Sequence, residues 1–279
     1  MENKDTITYT DADKKTSNFK CSGCSKEPTG QINVARFISR LDECFKTNDL
    51  EKAGNVIEFW ENEATTQNDK RGLLSVINEE LGFYRRTNDK EKGLRAVKIA
   101  LDILSSEENM PGISCATIYI NLATTLKSFG QAENGIPYYD KAEEVYIKYG
   151  KQNTFEYATL LNNKGSALAD LSRYSEAEES FNKAMAILDK EGNHDGEIAV
   201  SLINLAHLIY DRDGTDGIEK VEQTLDKAWE YINSKRQVHD SNYAYILSKC
   251  APSLRYFNRI DEAEALEEVS QEIYGNNIK

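Results

Sequence analysis

Proline is scarce in this sequence, at 4 of 279 residues, roughly a third of ordinary usage. Long helices therefore meet few breakers. Histidine is scarcer still, with only His194, His207 and His239, which leaves metal binding and acid–base chemistry short of their usual side chain. The five cysteines are an odd number, and Cys44, Cys115 and Cys250 stand singly in apolar-periodic segments. That argues against a disulfide framework and fits a reducing compartment. No apolar run reaches the ~18 residues that a membrane-spanning helix needs, and Met1 to Lys20 carries charges throughout, so neither a transmembrane helix nor a signal peptide is expected. The expected location is cytoplasmic. Basic residues are outnumbered, 34 Lys and Arg against 47 Asp and Glu, for a formal charge of −13. Such an acidic balance disfavours nucleic-acid phosphates and anionic lipid, so the expected partners are protein or peptide, with no nucleic acid and no membrane.

What the chain has in quantity is self-similarity. The segment from Thr117, TIYINLATTLKSFGQAENGIPYYDKAEEVY, recurs from Thr159 as TLLNNKGSALADLSRYSEAEESFNKAMAIL. Gly82, Ala123, Gly165, Ala206 and Ala251 follow one another at 41, 42, 41 and 45 residues, and Ala100, Ala142, Ala184, Ala228 and Ser270 at 42, 42, 44 and 42. A period of this length marks a stacked array of supersecondary units. Five units agree in register, and a weaker one runs from Gln31 to about Ala64.

Each unit reads as two amphipathic helices joined by a short polar turn. Ser175 with Glu178 and Asp261 with Glu264 are capping-box pairs. Asn48/Glu51, Asn88/Glu91 and Asp216/Glu219 sit three residues earlier in their own units, which predicts second helices that begin about one turn sooner there. Helices approach to about 8 Å only where the touching side chains are small, and sets such as Gly82/Gly93/Ala100 and Gly165/Ala177/Ala184 supply them. Tyr139, Phe181 and Leu225 fill the gap beside them in three units, and Glu267 takes that place in the last, as a terminal helix facing water requires. Trp60 and Trp229 are expected in the core. Pro252 is expected to kink its helix.

Asn121-Leu122-Ala123 and Asn204-Leu205-Ala206 in first helices, with Ala177, Phe181 and Ala184 in a second helix, resemble the tetratricopeptide repeat family. The likeness is to its long variety, of about 42 residues, seen in kinesin light chains and in bacterial peptide-sensing proteins. It extends from Gln31 to Tyr274, although Asp42 and Trp60 stand where the first unit should have small residues. The expected fold is an all-α solenoid, a right-handed superhelix of about six helix-turn-helix units. Their expected bounds are 31–66, 70–105, 113–148, 154–190, 196–233 and 240–276, after a flexible polar tail at 1–30. The resemblance implies a non-catalytic module that binds a peptide or protein segment in a concave groove, and in a narrower form a peptide-responsive regulator. Relatives that bind DNA carry a helix-turn-helix domain before the array, so direct transcriptional control is not expected here.

A helix turns about 100° per residue. With Gly165 as zero, Asn162, Asn163, Ser166, Ala169 and Asp170 fall on one stripe. Carried through the array, that stripe holds Glu79, Glu80, Phe83 and Arg86, then Ile120, Asn121, Thr124 and Lys127. It continues with Ile203, Asn204, His207, Tyr210 and Asp211, then Ser248, Lys249, Arg255 and Tyr256. It is expected to line the inner wall. Asn121, Asn163 and Asn204 recur once per unit, and an amide offers both a donor and an acceptor. Such a ladder suits an extended backbone, and the resemblance points the same way; the alternative is that these amides bond neighbouring helices or water. The expected peptide-binding residues are Asn121, Asn163, Asn204, His207, Tyr210 and Lys249, with Arg86, Lys127 and Arg255 available for acidic groups. Removal of a wall amide facing solvent is expected to cost under ~0.5 kcal/mol.

Cys21-Ser-Gly-Cys24 has the spacing of a zinc or redox pair, but no further Cys or His lies near it in sequence, and the tail is expected to be mobile and metal-free. His207 beside Tyr210 and Asp211 lacks a nucleophile and a second histidine, and no Gly-rich phosphate loop occurs, so no enzyme, cofactor or metal is expected. The competing reading is a structural adaptor or assembly factor that binds through its convex face, its ends or self-association.

Overall fold

The computed structural model describes residues 31–106 and 112–276. The expected tail at 1–30, with Cys21 and Cys24, lies outside the described residues. Among the described residues every regular element is helical: α1 (Val34–Lys46), α2 (Leu50–Thr66), α3 (Lys70–Arg86), α4 (Lys90–Ser106), α5 (Ser114–Ser128), α6 (Ala132–Lys148), α7 (Phe155–Asp170), α8 (Tyr174–Glu191), α9 (Asp195–Asp213), α10 (Ile218–Ile232), α11 (Ser241–Tyr256) and α12 (Ile260–Asn276). The chain divides between Val145 and Tyr146 into two compact units, one built on α1–α6 and one on α7–α12.

The turns explain why helix follows helix so tightly. Asn48, Asn68 and Asn88 take left-handed φ values of 52°, 54° and 55°, a conformation that asparagine tolerates better than most residues. The next residue reaches back in each case: Asp49, Asp69 and Asp89 donate their backbone N–H to the carbonyls of Cys44, Ala64 and Tyr84 at 2.9 Å. That closes the outgoing helix by a Schellman turn. The same aspartates then cap the next helix, accepting from the N–H groups of Lys52, Gly72 and Lys92. Ser172 and Asn258 make the equivalent left-handed turn before α8 and α12.

This turn corrects several expected helix starts. Each second helix begins ten residues before its column residue, whether Trp60, Ala100, Ala142, Ala184, Ala228 or Ser270. None starts a turn early. The cap is Asp49 rather than Asn48, because Asn48 is spent on the left-handed position. Ser175 and Asp261 lie inside α8 and α12, since the turn closes so fast that Arg173 and Arg259 are already the preceding residues. Asp216 sits in a 3-10 turn, Gly214–Gly217, ahead of α10. α11 continues through Pro252 to Tyr256.

Within each unit the first helices of successive hairpins are neighbours, α1 beside α3 beside α5 and α7 beside α9 beside α11, and α2 packs against α3, α4 against α5 and α8 against α9. The cores follow the expected columns. Ala123, Ala142, Ala177, Ala184, Ala206 and Ala228 are wholly buried, as are Tyr139, Phe181 and Leu225 beside them. Gly82 is a correction: a Cβ there would meet nothing nearer than Arg85 Nη2 at 3.8 Å, so no helix approaches closely at that glycine. Trp60 and Trp229 are half-buried rather than enclosed. Trp60 is held at the edge of the α1–α2 hairpin by Phe37, 6.2 Å away between ring centres.

Candidate functional site

Glu80, Asn121, Asn163, Asn204 and Lys249 occupy one column, each two residues before the small residue of its first helix. The structure shows why the stripe is not an open wall. First helices lie side by side, so the strip between neighbours is covered. Glu80 and Asn163 are 0% exposed and Asn204 2%, and Asn121, Ile120, Thr124, Lys127 and Ile203 are buried as well. Lys249, in the last described first helix, is exposed. The exposure expected for the wall amides is thereby corrected.

Asn121 and Asn204 bond to the preceding hairpin. Asn121 Nδ2 donates to Asn78 Oδ1 at 2.9 Å, joining α5 to α3. Asn204 Nδ2 donates to Asn162 Oδ1 at 3.4 Å, joining α9 to α7. Around the first pair, Arg85 donates to Asn121 O and Thr125 Oγ1 at 3.0 and 3.2 Å. Buried polar groups must be paired, and here the pairing fixes the register of successive hairpins.

The cations expected to meet acidic groups are placed differently from one another. Arg86 donates to Asn48 Oδ1 at 2.9 Å and stands 5.4 Å over the Phe45 ring. Arg255 donates to Glu267 at 2.9 Å, which turns it toward α12 and accounts for the charge at Glu267. Lys249 Nζ lies 5.3 Å over the Tyr245 ring.

The open part of the first-helix face in the α7–α12 unit is aromatic. His207 lies 5.2 Å from Tyr256 and 4.7 Å from Phe257 between ring centres. Tyr210 meets both rings edge-on, at 6.1 and 5.8 Å with interplanar angles of 85°. Tyr256 is 49% exposed, and His207, Tyr210 and Phe257 are half-buried. Edge-to-face contacts of this kind hold rings in fixed attitudes, so the cluster presents a firm, largely apolar surface. Phe257 was outside the expected stripe. Its signal was weak in sequence, because it is the residue that follows the last turn of α11.

Each unit also carries a groove on the other side, between consecutive second helices. One of about 450 Å³ is lined by Val97, Leu101, Leu126, Pro137, Tyr138 and Lys141 among others. The other, of about 270 Å³, is lined by Met185, Ile198, Leu202, Lys227 and Tyr231 among others. Among the described residues no group of three or more His, Cys, Asp or Glu is placed to hold a metal ion, and no helix is long and apolar enough to cross a membrane.

The tetratricopeptide repeat family model matches residues 114–190, which are α5 to α8. Over that stretch the chain is similar to tetratricopeptide repeats. Repeats of this type are interaction modules that present extended binding surfaces to proteins. No curated protein matches the sequence. Among solved structures, BtubC (BKLC) from P. vanneervenii is 14% identical, with 90% of this chain and 92% of that one covered at a TM-score of 0.50. A putative kinesin light chain of Podosopora anserina with nearly identical TPR-like repeats is 14% identical over 73% of this chain and 96% of that one, at 0.50. A variant of that protein is 13% identical over 73% and 95%, at 0.52. At these identities the likeness shows the fold, an all-α solenoid of tetratricopeptide type.

Proposed function

We propose that the chain is a non-catalytic binding module that takes a peptide or protein segment on the first-helix face of the α7–α12 unit. The observation that carries this is the half-open cluster of His207, Tyr210, Tyr256 and Phe257. Aromatic rings supply large contact area at low entropic cost and dominate interface energetics, and a stable monomeric surface has little other use for four of them in one place. Lys249, on the same helix as Tyr256, is exposed and stands ready for a carboxylate or a backbone carbonyl. The buried asparagines act behind this surface. They hold α7 and α9 in register, and the rings on α9 and α11 depend on that register.

The test is a selection of random displayed peptides on the whole chain, followed by titration of the winners against variants. Tyr256→Ala and Tyr210→Ala should each weaken a selected peptide about tenfold, the ~1.4 kcal/mol of a moderate anchor residue, with the circular dichroism spectrum unchanged. Peptides that bind both variants as tightly as the wild type would place the site elsewhere. The two grooves beside Tyr138 and Tyr231 favour the adaptor reading as the alternative, and in that case Lys141→Glu and Lys227→Glu would be the variants that lose binding.

A further inference from the structure

Glu80 is the one acid in the buried column; neither of its carboxylate oxygens accepts a hydrogen bond, and only in the protonated form can it donate one, to Glu61 of α2. The nearest cation is Arg95 on α4, whose Nη2 lies 3.6 Å from Glu80 Oε2, too far for a hydrogen bond. That guanidinium is already engaged: Nη1 and Nη2 each donate to Glu61 of α2 at 2.7 Å, the bidentate arrangement that arginine and carboxylate favour. The other base in reach, Lys92 of α4, donates to Glu58 of α2 at 2.8 Å and stands 5.7 Å over the Tyr84 ring. The charged and titratable groups around Glu80 are thus Glu58 and Glu61 from α2, Lys92 and Arg95 from α4, and Tyr84 from α3 itself. Both bases are already paired with the α2 acids. An ionised Glu80 would be a third carboxylate in a dry site with no cation of its own.

Burial, and after it the charge of Glu61, pushes the Glu80 carboxyl up to about 8. The Arg95 hydrogen bond holds Glu61 below the usual carboxylate range, and burial lifts the Tyr84 phenol to about 12.

We propose that Glu80 is a proton-held latch: uncharged, it lets α2, α3 and α4 close on one another, and its ionisation loosens that contact and with it the α3 face carrying Phe83 and Arg86. The closed form keeps a proton that the opened form, with an ordinary glutamate near 4.5, gives up. Opening therefore becomes easier as pH rises from about 4.5 to about 8, by up to tenfold in the opening equilibrium per pH unit, and levels off outside that window.

Hydrogen exchange of the whole chain, corrected for the intrinsic pH dependence of exchange, reads this directly. Between about pH 6 and pH 8, amides of α2, α3 and α4 should lose protection by ten- to a hundredfold, while α9 and α11 keep theirs. In Glu80→Gln, which retains the shape and carries no charge, α2–α4 should hold their protection across the same range. Equal pH dependence in the variant and the wild type would overturn the proposal. If the variant does not fold, carbon-13 spectra of the wild-type glutamate carboxyls decide. One carboxyl titrating near pH 8 and missing below that pH from the ionised set supports the latch, and a set that all titrates in the ordinary range refutes it.

Discussion

A close backbone approach between α5 and α6 offers a sharp test of how the array is packed. A Cβ added at Gly135 on α6 would lie 2.9 Å from Ala123 O and 3.5 Å from Ala123 C and Cα on α5. These are backbone atoms, so no side chain can swing aside. Relief requires the two helices to part by roughly 0.5 Å, a gap that forfeits a quarter to a half of each lost contact. Separation also strains the buried bond between Tyr139 on α6 and Thr124 on α5, now 2.9 Å, in which Thr124 already gives its own hydrogen to Ile120 O. Overpacking of this kind costs about 1–3 kcal/mol, partly offset by the ~1 kcal/mol that alanine gains over glycine inside a helix. Gly135→Ala should therefore lose up to about 2 kcal/mol. Gly82→Ala, with only Arg85 Nη2 at 3.8 Å, should gain about 0.5–1 kcal/mol. Urea unfolding followed by circular dichroism measures both. Equal shifts for the two glycines, or stabilisation by Gly135→Ala, would refute the packing argument.

Other outcomes follow from single bonds. Asp69 caps α3 through Gly72 N–H and also accepts from Ile32 N–H at 2.9 Å, all while buried, so Asp69→Ala should cost about 2–3 kcal/mol in urea unfolding against about 1 for the exposed cap Asp49→Ala. Asn204→Ala strips a buried donor from Asn162 and should cost about 1–3 kcal/mol rather than the small loss expected of an exposed amide; a melting temperature unchanged in this variant would contradict the burial. Burial holds the Cys250 thiol far above, and the Cys115 thiol above, the ordinary range. Mass spectrometry after maleimide treatment of the native chain at pH 7 should find both unlabelled, and both labelled in urea.

The hairpin array was legible in sequence because its cause is local and repeated. Small residues recur where helices must touch, so the columns through Ala123 and Ala142 give the period, the hairpins and the core at once. The turns were legible in kind but not in position. Thr47-Asn48-Asp49, Gln67-Asn68-Asp69 and Thr87-Asn88-Asp89 each offer two residues that cap helices well, and only the backbone decides that asparagine takes the left-handed place and leaves aspartate to cap. Gly82 looked like a contact residue because its column demands small side chains elsewhere, yet contact depends on the partner helix, which one helix's sequence does not carry.

The burial of the wall amides was not legible in sequence for the same physical reason. A 100° wheel drawn on one helix assigns directions but not coverings. Glu80, Asn121, Asn163, Asn204 and Lys249 share a direction, and whether that direction is open depends on the presence of a neighbouring first helix. Where one exists, the column is sealed and its members must bond to protein. Asparagine does this at modest cost, since its amide can both give and accept, and Asn121 and Asn204 each reach an asparagine of the preceding hairpin. Glutamate cannot do so as an anion unless a base is free, and Arg95 and Lys92 are taken. At Lys249, on α11, the same column carries an exposed charge. A single position thus serves as interhairpin bond, buried acid and surface cation along one chain. The half-open rings of His207, Tyr210, Tyr256 and Phe257 are instead what the proposal assigns to a partner, because they combine accessible apolar area with fixed edge-to-face packing.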